Sequence, residues 1–339
     1  MTNAKSHIIV QTGFIGDIAL TFFLLEQIRL QKPNDKIILL TTPAGAEIAQ
    51  AYPSIVNQVI VFDKRGKHKG IHGLLTILQD VKECRAQTIL SLHQSFRTSL
   101  LIALSGIPVR IGYSTSSLAF VYTDRYPYVK GIHEIQRQQM LLHGILNHVH
   151  SDSNAHGLLR RIVTHGLLSQ EPGIVIAPGS VWNTKRWPAE HFKTLIESLL
   201  NTFPHRITLI GSMSDKQLCA SIMPSTYLGR VYNLAGTLTL NQTMGLLSKS
   251  TVLIANDSAP IHLASLVNCP TIALFGPTHP AFGFAPLADH SQIIQLDLDC
   301  RPCSIHGQHE CPLGSHTCMI GIKPEDILPS VHQILLANA

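Results

Sequence analysis

The sequence predicts an α/β protein with two similar domains. Short apolar runs rich in β-branched residues alternate with helical stretches in both halves, as in parallel sheets covered by helices. Each half also opens with a strand that ends on a glycine turn, HIIVQTG at 7–13 and GIVIAPG at 173–179. A chain of 339 residues with 45% hydrophobic residues exceeds what one core usually serves. The polar, histidine-rich segment 151–170 is the predicted linker between the domains.

The first half begins with a predicted strand at 7–11 and the turn Thr12–Asp17. The glycines Gly13 and Gly16 have G-x-x-G spacing, so the G-x-G-x-x-G dinucleotide fingerprint is absent, although a backbone can still approach them closely. Asp17 opens a helix that runs to about Leu30, either as an ordinary first-turn acid or as a carboxylate at the ligand-binding edge of the sheet. Further strands are predicted at 36–41, 58–62 and 88–92, and a helix at 133–146.

Two polar segments follow strands of this half. The loop Lys64-Arg65-Gly66-Lys67-His68-Lys69 is either a solvated face or a receptor for a phosphorylated acceptor, because five of its six side chains are cationic or titratable. Ser95 and Arg97 follow the strand at 88–92, at the same predicted edge.

The second half begins with the strand 173–177 and the loop Pro178–Pro188, which holds both tryptophans of the chain. Trp187 is expected to pack at the start of the helix 189–200, but packing alone does not explain Lys185, so the loop is predicted to bind a ligand. A strand at 206–210, the small turn Gly211-Ser212 and helices at 242–247 and 324–336 follow.

The segment 251–280 predicts a strand at 251–255, a helix and a second parallel strand at 271–275. Asn256, Asp257 and Ser258 are expected to supply helix-capping side chains, with Pro260 in the first turn. The free N–H groups of a helix that starts near Ser258 would bind an anion such as a phosphate. An ordinary capped helix explains the same residues.

Composition limits the function further. Lys and Arg number 26 and Asp and Glu number 21, giving a net charge of +5, which favours an anionic partner but lacks the dense basic runs of a nucleic-acid-binding protein. No secretory signal and no apolar run of transmembrane length is evident, so a soluble, cytoplasmic protein is expected.

Four of the seven cysteines lie close together near the end of the chain: Cys300, Cys303, Cys311 and Cys318, with three histidines among them. These residues suffice for a structural tetrahedral zinc or iron site, and free thiols in a reducing compartment are the alternative. A zinc module that binds nucleic acid would fit the net positive charge of the chain. It would not explain Asp17, Lys185 or the anion-binding turn.

A set of motifs in this order resembles one family over nearly the whole chain: GFIGD, APGSVWNTKRWP, LIGS, NLAGTLTL, ANDSAPIHLASLVNCPTIALFGPT, CRPC and CPLGSHTCM. The sequence resembles the ADP-heptose:lipopolysaccharide heptosyltransferases of glycosyltransferase family 9. The resemblance implies a GT-B fold with two Rossmann-like, doubly wound domains facing across a cleft. It implies an acceptor-binding domain at 1–160, a donor-binding domain at 171–322, and a C-terminal helix at 323–339 that returns to the first domain.

The resemblance also implies roles for residues. Asp17 corresponds to the catalytic base and Lys185 to the lysine that binds the donor phosphates, without a divalent metal or any cofactor required for catalysis. The implied donor-binding residues are Ser180, Thr184, Lys185, Gly211, Ser212, Leu238, Asp257, Ser258, Ala259 and His262. The implied acceptor-binding residues are Gly13, Gly16, Lys64, Arg65, Lys67, Ser95 and Arg97. Met213 stands where the family can carry an acidic residue for the ribose.

The cysteine motifs resemble the heptosyltransferase II branch. That branch implies inverting transfer of L-glycero-D-manno-heptose from ADP-heptose to the inner core of lipopolysaccharide. The implied partners are ADP-heptose and a lipid A-core acceptor at the inner face of the cytoplasmic membrane. Transfer to Kdo-lipid A, as in the heptosyltransferase I branch, and a GT-B nucleotide-sugar epimerase are the alternatives.

Overall fold

The computed structural model describes residues 4–146, 159–160, 173–226 and 229–337. The chain forms two compact units, residues 1–163 and 164–339, and each is described by itself. The predicted linker at 151–170 lies outside the described residues except for 159 and 160.

The first unit contains a sheet of six parallel strands in the order β3-β2-β1-β4-β5-β6. In the central strand, Ile8 pairs with Ile38 of β2 on one side and with Ile89 of β4 on the other. Helices cover both faces of such a sheet, which explains why these strands are continuous apolar runs. The strands are β1 (Ser6–Gln11), β2 (Lys36–Thr41), β3 (Gln58–Val61), β4 (Thr88–Ser91), β5 (Val109–Tyr113) and β6 (Asp124–Tyr126).

The described residues of this unit form the helices α1 (Ile15–Gln31), α2 (Pro43–Ala49), α3 (Gly70–Glu83), α4 (Phe96–Leu104) and α5 (Glu134–Leu141). Helix α1 is buried from Ile18 to Ile28 and packs against α5. The predicted helix at 133–146 is shorter in the structure, because it ends at Leu141 and a 3₁₀ turn follows at Leu142–Gly144.

The second unit contains another sheet of six parallel strands, in the order β12-β11-β10-β7-β8-β9. Numbered from its own first strand and read from the opposite edge, this order is the same as in the first unit. The predicted pair of Rossmann-like, doubly wound domains is confirmed, because each sheet is parallel and is extended in both directions from its centre. The strands are β7 (Ile174–Ala177), β8 (Ile207–Leu209), β9 (Val231–Asn233), β10 (Val252–Asn256), β11 (Thr271–Phe275) and β12 (Gln292–Gln295).

The helices of the second unit are α6 (Ala189–Thr202), α7 (Lys216–Ser221), α8 (Leu240–Leu247), α9 (Ala259–Leu266), α10 (Thr317–Ile320) and α11 (Pro324–Ala337). The last helix packs against α6 and against β10, β11 and β12, and its Ile327 and Val331 are fully buried in the core of this unit. Its predicted return to the first domain stays a prediction.

The strand order decides where ligands bind. In each sheet, the first and fourth strands of the unit are neighbours, and the strand order reverses between them. Doubly wound proteins bind ligands at the carboxyl ends of these two strands. In the first unit, the turns after β1 and β4 carry Asp17 and Arg97. In the second unit, the turns after β7 and β10 carry Lys185 and Asp257.

Candidate active site

The centre of the candidate site in the second unit is an ion pair between Lys185 and Asp257. Lys185 Nζ lies 2.6 Å from Asp257 Oδ2, and the two side chains are only 11% and 7% exposed. The hydroxyl of Thr278, just after β11, donates a second hydrogen bond to Asp257 Oδ2 at 2.6 Å. Three successive strand ends, those of β7, β10 and β11, therefore contribute side chains to one buried polar group.

The residues before α9 bind neighbouring turns instead of capping the helix, so the predicted side-chain caps are wrong. The side-chain amide of Asn256 donates to the carbonyl of Pro178 and accepts from the backbone N–H of Trp187. The Ser258 hydroxyl donates to the carbonyls of Gly179 and Asn256. Because no side chain caps α9, the N–H groups of Ser258 and Ala259 remain suited to an anion, whereas Pro260 has no N–H and the Ile261 N–H donates to the Ser258 carbonyl.

The other predicted donor residues have different environments. Ser180 is buried, and its carbonyl accepts a hydrogen bond from Arg186 Nε at 2.8 Å. Both the N–H and the hydroxyl of Ser212 donate to the Asp215 carboxylate, which also packs against Gly211. Asp215 therefore shapes this turn.

Two more residues from the predicted donor set lie elsewhere in the unit. His262 is buried in α9, with its ring 6.0 Å from that of Phe284. Leu238 lies in the loop before α8. Met213, at the family's acidic position, is 65% exposed.

In the first unit, Asp17 occupies the first turn of α1, and its carboxylate accepts a hydrogen bond from the Phe14 N–H at 3.2 Å. Burial raises the pKa of Asp17, although the Phe14 N–H and the positive charge of Arg137 act in the opposite direction. Gly16 lies within the same helix, and the Gly13 N–H donates to Gln11 Oε1 at 3.0 Å. A carboxylate with a raised pKa is a suitable general base.

Sequence reasoning did not identify the buried charges near Asp17. Arg137 is 2% exposed, is paired with Glu134, and lies 4.4 Å from the centroid of the Tyr128 ring. Its guanidinium also donates to the carbonyls of Val129 and Ile132. The one sequence signal for this pair was the i, i+3 spacing of Glu134 and Arg137 in the predicted helix. The same spacing is common on exposed helices, so it does not indicate a buried pair.

The basic loop after β3 divides into exposed and half-buried residues. Arg65 and Lys67 are exposed, whereas Lys64 is half-buried with its Nζ 2.6 Å from the hydroxyl of Thr12 in the turn after β1. Burial, together with the nearby Arg97, lowers the pKa of Lys64 to about 8. Of these three predicted acceptor residues, Lys64 is the one whose side chain bonds to the turn that leads to Asp17.

Arg97 and Ser95 help to hold this edge together. Arg97 donates to the carbonyls of His68 and Gly70 and lies 4.8 Å from the centroid of the Phe62 ring. Ser95 is the N-cap residue of α4. His93, just after β4, has its pKa lowered to about 4 by burial and by the positive charge of Lys64.

The predicted metal site is not supported. Within residues 4–146, 159–160, 173–226 and 229–337, no three His, Cys, Asp or Glu side chains are grouped so that they could hold a metal ion. Cys300 and Cys303 are exposed, whereas Cys318 is buried in the core of the second unit, so spacing alone did not predict their environments. Burial raises the pKa of Cys318 to about 11, so its thiol is protonated at neutral pH.

The helices of the described residues include none that is both long and apolar enough to span a membrane.

Comparison with known proteins identifies the family. The sequence pattern of glycosyltransferase family 9 (heptosyltransferase) matches residues 74–313, well over half of the chain. The chain belongs to glycosyltransferase family 9. Among family relatives, it is 34% identical to lipooligosaccharide heptosyltransferase 2 of Haemophilus influenzae over 50% of this chain and 49% of that protein. The match thus spans about half the length of this relative.

A further relative and two solved structures match nearly the whole chain. Lipopolysaccharide heptosyltransferase 2 of Escherichia coli is 25% identical over 97% of this chain and 98% of that protein. The structure of E. coli ADP-heptose lps heptosyltransferase II has a TM-score of 0.77 at 22% identity, covering 98% of this chain and 99% of that chain. A family 9 structure from Veillonella parvula has a TM-score of 0.80 at 20% identity, covering 99% of both chains. These structures establish the fold.

Proposed function

We propose that this family 9 glycosyltransferase transfers heptose from ADP-heptose to the inner core of lipopolysaccharide, as a heptosyltransferase 2. The relatives with that name support the proposal. The observation that carries it is the Lys185–Asp257 pair beside the uncapped start of α9. A lysine and free N–H groups at the same edge of a sheet are suited to a diphosphate.

The donor diphosphate is assigned to the second unit. Lys185 supplies a compact positive charge, and the N–H groups of Ser258 and Ala259 supply oriented donors that need little rearrangement as negative charge develops. Ser180, Thr184, Gly211, Ser212, Leu238, Ser258 and His262 complete the proposed donor-binding set. The position of Met213 leaves the ribose without an acidic partner there, and no other residue is assigned to it.

The acceptor is assigned to the first unit, with Asp17 as the general base. Asp17 takes the proton of the acceptor hydroxyl while that oxygen forms a bond to the anomeric carbon of the heptose. The bond between the anomeric carbon and the phosphate oxygen breaks, and ADP leaves with its electron pair. Because attack and departure occur on opposite faces, the configuration inverts. All charges required by this step come from groups already assigned, without a catalytic cofactor.

Gly13, Gly16, Lys64, Arg65, Lys67, Ser95 and Arg97 are the proposed acceptor-binding residues. Their positive charge suits a phosphorylated lipid A-core, and binding at the inner face of the cytoplasmic membrane would present that acceptor. Of these residues, Lys64 has the strongest case, because it contacts the turn that leads to Asp17.

The test is turnover with ADP-heptose and two defined acceptors, one ending in Kdo and one ending in heptose. The proposal expects ADP release that depends on the heptose-terminated acceptor, with a much higher kcat/KM than for the Kdo-terminated acceptor. Preference for the Kdo acceptor would make the protein a heptosyltransferase 1. Release of free sugar without any acceptor would favour a nucleotide-sugar epimerase and overturn transfer altogether.

A further inference from the structure

The histidine- and cysteine-rich segment 303–318 lies against the turn that carries Lys185. Thr184 and Gln308 bind each other through three contacts. The Thr184 N–H and hydroxyl donate to the Gln308 carbonyl at 3.1 and 2.9 Å, and the Gln308 N–H donates to Thr184 Oγ1 at 2.8 Å. Thr184 is buried. The segment is therefore joined to the residue immediately before Lys185.

His316 adds a bond from the far end of the segment. Its Nε2 donates to the Thr184 carbonyl at 2.7 Å. That carbonyl belongs to the planar peptide group between Thr184 and Lys185, which also contains Lys185 Cα. The bond therefore helps to fix the position of the atom from which the Lys185 side chain extends. His316 also lies at φ 49°, in the left-handed region, and its N–H contacts Cys311 Sγ at 3.4 Å.

Gly307 also approaches this turn closely. A Cβ atom at Gly307 would lie 2.8 Å from Trp182 Cβ and 3.2 Å from Lys185 Cε, so only glycine allows this approach, and its φ is +97°. The rings of Trp182 and His309 are 5.3 Å apart. The segment thus contacts both the backbone and the aliphatic stem of the lysine turn.

The turn needs such support. Asn183–Lys185 is a single 3₁₀ turn closed by Lys185 N–H to the Trp182 carbonyl, and no side chain caps it. One turn of helix has little stability of its own, and a lysine side chain loses much conformational entropy when it is held in one place. Fixing the turn in advance reduces that cost when a diphosphate binds.

We propose that His316 is a positioning residue for Lys185, acting through the Thr184 carbonyl, and that segment 303–318 serves to hold the phosphate-binding turn. This inference rests on the proposed function, because it takes Lys185 as the group that binds the donor diphosphate. It gives the segment a role that requires no metal. His316 itself does not contact the donor.

Two amide replacements of His316 separate positioning from general stability. The side-chain amide introduced by His316→Gln extends to about the reach of the imidazole Nε2, whereas His316→Asn is one bond shorter but accepts the left-handed backbone. We expect His316→Asn to weaken ADP binding, measured by calorimetry, by about 3- to 10-fold, as for the loss of one hydrogen bond. The value of kcat/KM should fall at least as much. His316→Gln should restore most of both, although its Tm should be no higher than that of His316→Asn, because asparagine adopts the left-handed backbone more readily.

His306→Asn is the matched control, because His306 is exposed in the same segment and its backbone N–H, which the substitution retains, bonds to Ser304. It should bind ADP like the wild type. If His316→Asn also binds ADP and turns over like the wild type, or if only its Tm falls, the positioning role is overturned.

The decisive measurement is a double-mutant cycle with Lys185→Ala. If His316 acts through Lys185, then His316→Asn should weaken ADP binding less than about twofold further in the Lys185→Ala background. Additive losses would overturn the inference while leaving Lys185 as the phosphate-binding residue. If Lys185→Ala alone leaves ADP binding unchanged, the proposed donor site fails, and the positioning role fails with it.

Discussion

Lys185 Nζ and Asp257 Oδ2 lie 2.6 Å apart, although 72 residues separate them in the chain. They meet because β7 and β10 are adjacent parallel strands, so the turns that follow them lie at one edge of the sheet. Asp257 holds the lysine beside the start of α9, where the donor diphosphate is proposed to bind. The pair therefore links the stability of the second unit with its proposed chemistry.

Lys185→Ala should weaken ADP binding and lower kcat/KM by about ten- to a hundredfold, because a charge-assisted hydrogen bond contributes about 1.5 to 3 kcal/mol. Added Mg²⁺ should not restore the loss, since the protein supplies the positive charge. The exposed Lys249 provides the control variant, Lys249→Ala. ADP binding by Lys185→Ala as tight as in the wild type would refute this role. Loss of wild-type activity in EDTA, with the fold intact, would refute the metal-independent step.

The Lys185–Asp257 pair also predicts an effect on stability that can be separated from the effect on activity. Lys185→Met leaves the buried Asp257 carboxylate without its charge partner, and breaking a buried pair costs about 3 to 5 kcal/mol. Adding Asp257→Asn should recover much of that stability, because the asparagine is neutral and still accepts from Thr278. Urea unfolding should show the recovery, whereas activity should remain lost. No recovery in the double variant would show that the pair does not behave as a buried charge pair.

Asp17→Asn should lower kcat by about 10² to 10⁴-fold, the usual loss for a general base, while ADP binding is retained. The pKa of Asp17 is raised by burial, so wild-type kcat/KM should fall as the pH decreases through that raised pKa. The residual activity of the variant should not show this decrease at low pH. Turnover near the wild-type rate in the variant would exclude Asp17 as the base.

The raised pKa of Asp17 also determines how the stability of the folded protein changes with pH. Between the unfolded and folded pKa values, the native state holds more protons, so its stability falls as the pH rises through this window. The ionised carboxylate is therefore unfavourable at neutral pH. Asp17→Asn should have a Tm at neutral pH no lower than the wild type, and a markedly lower Tm would contradict this assignment.

Lys64 should make acceptor binding sensitive to pH. Its pKa is lowered to about 8, so its positive charge is lost as the pH rises through that value, and the acceptor KM should increase there. Lys64→Arg should remove this dependence because arginine stays charged, and Lys64→Gln should have a high KM throughout. The exposed Lys67 supplies the comparison, since Lys67→Gln should have a small, salt-dependent effect. An acceptor KM of Lys64→Gln equal to that of the wild type at low salt would favour a solvated face.

Local sequence patterns were sufficient for much of the fold. The strands at 36–41 and 271–275 have the predicted limits, because both are buried apolar runs bounded by turn residues. Strands β5, β6, β9 and β12 were not predicted. Of these, β6 and β9 are the three-residue segments DRY and VYN, which have little apolar character. They are strands only because an adjacent strand at the edge of each sheet pairs with them.

The sequence by itself determined the alternating α/β architecture, the family motifs and the candidate residues Asp17 and Lys185, because these depend on short-range patterns. Tertiary structure decided what the residues around them contact. Asn256 and Ser258 have the composition of helix caps, yet strand adjacency brings the β7 turn close enough to take their hydrogen bonds. Likewise, His316 reaches Thr184 across 132 residues. Pairings at such separations arise from the packing of strands and loops, and no local pattern encodes them.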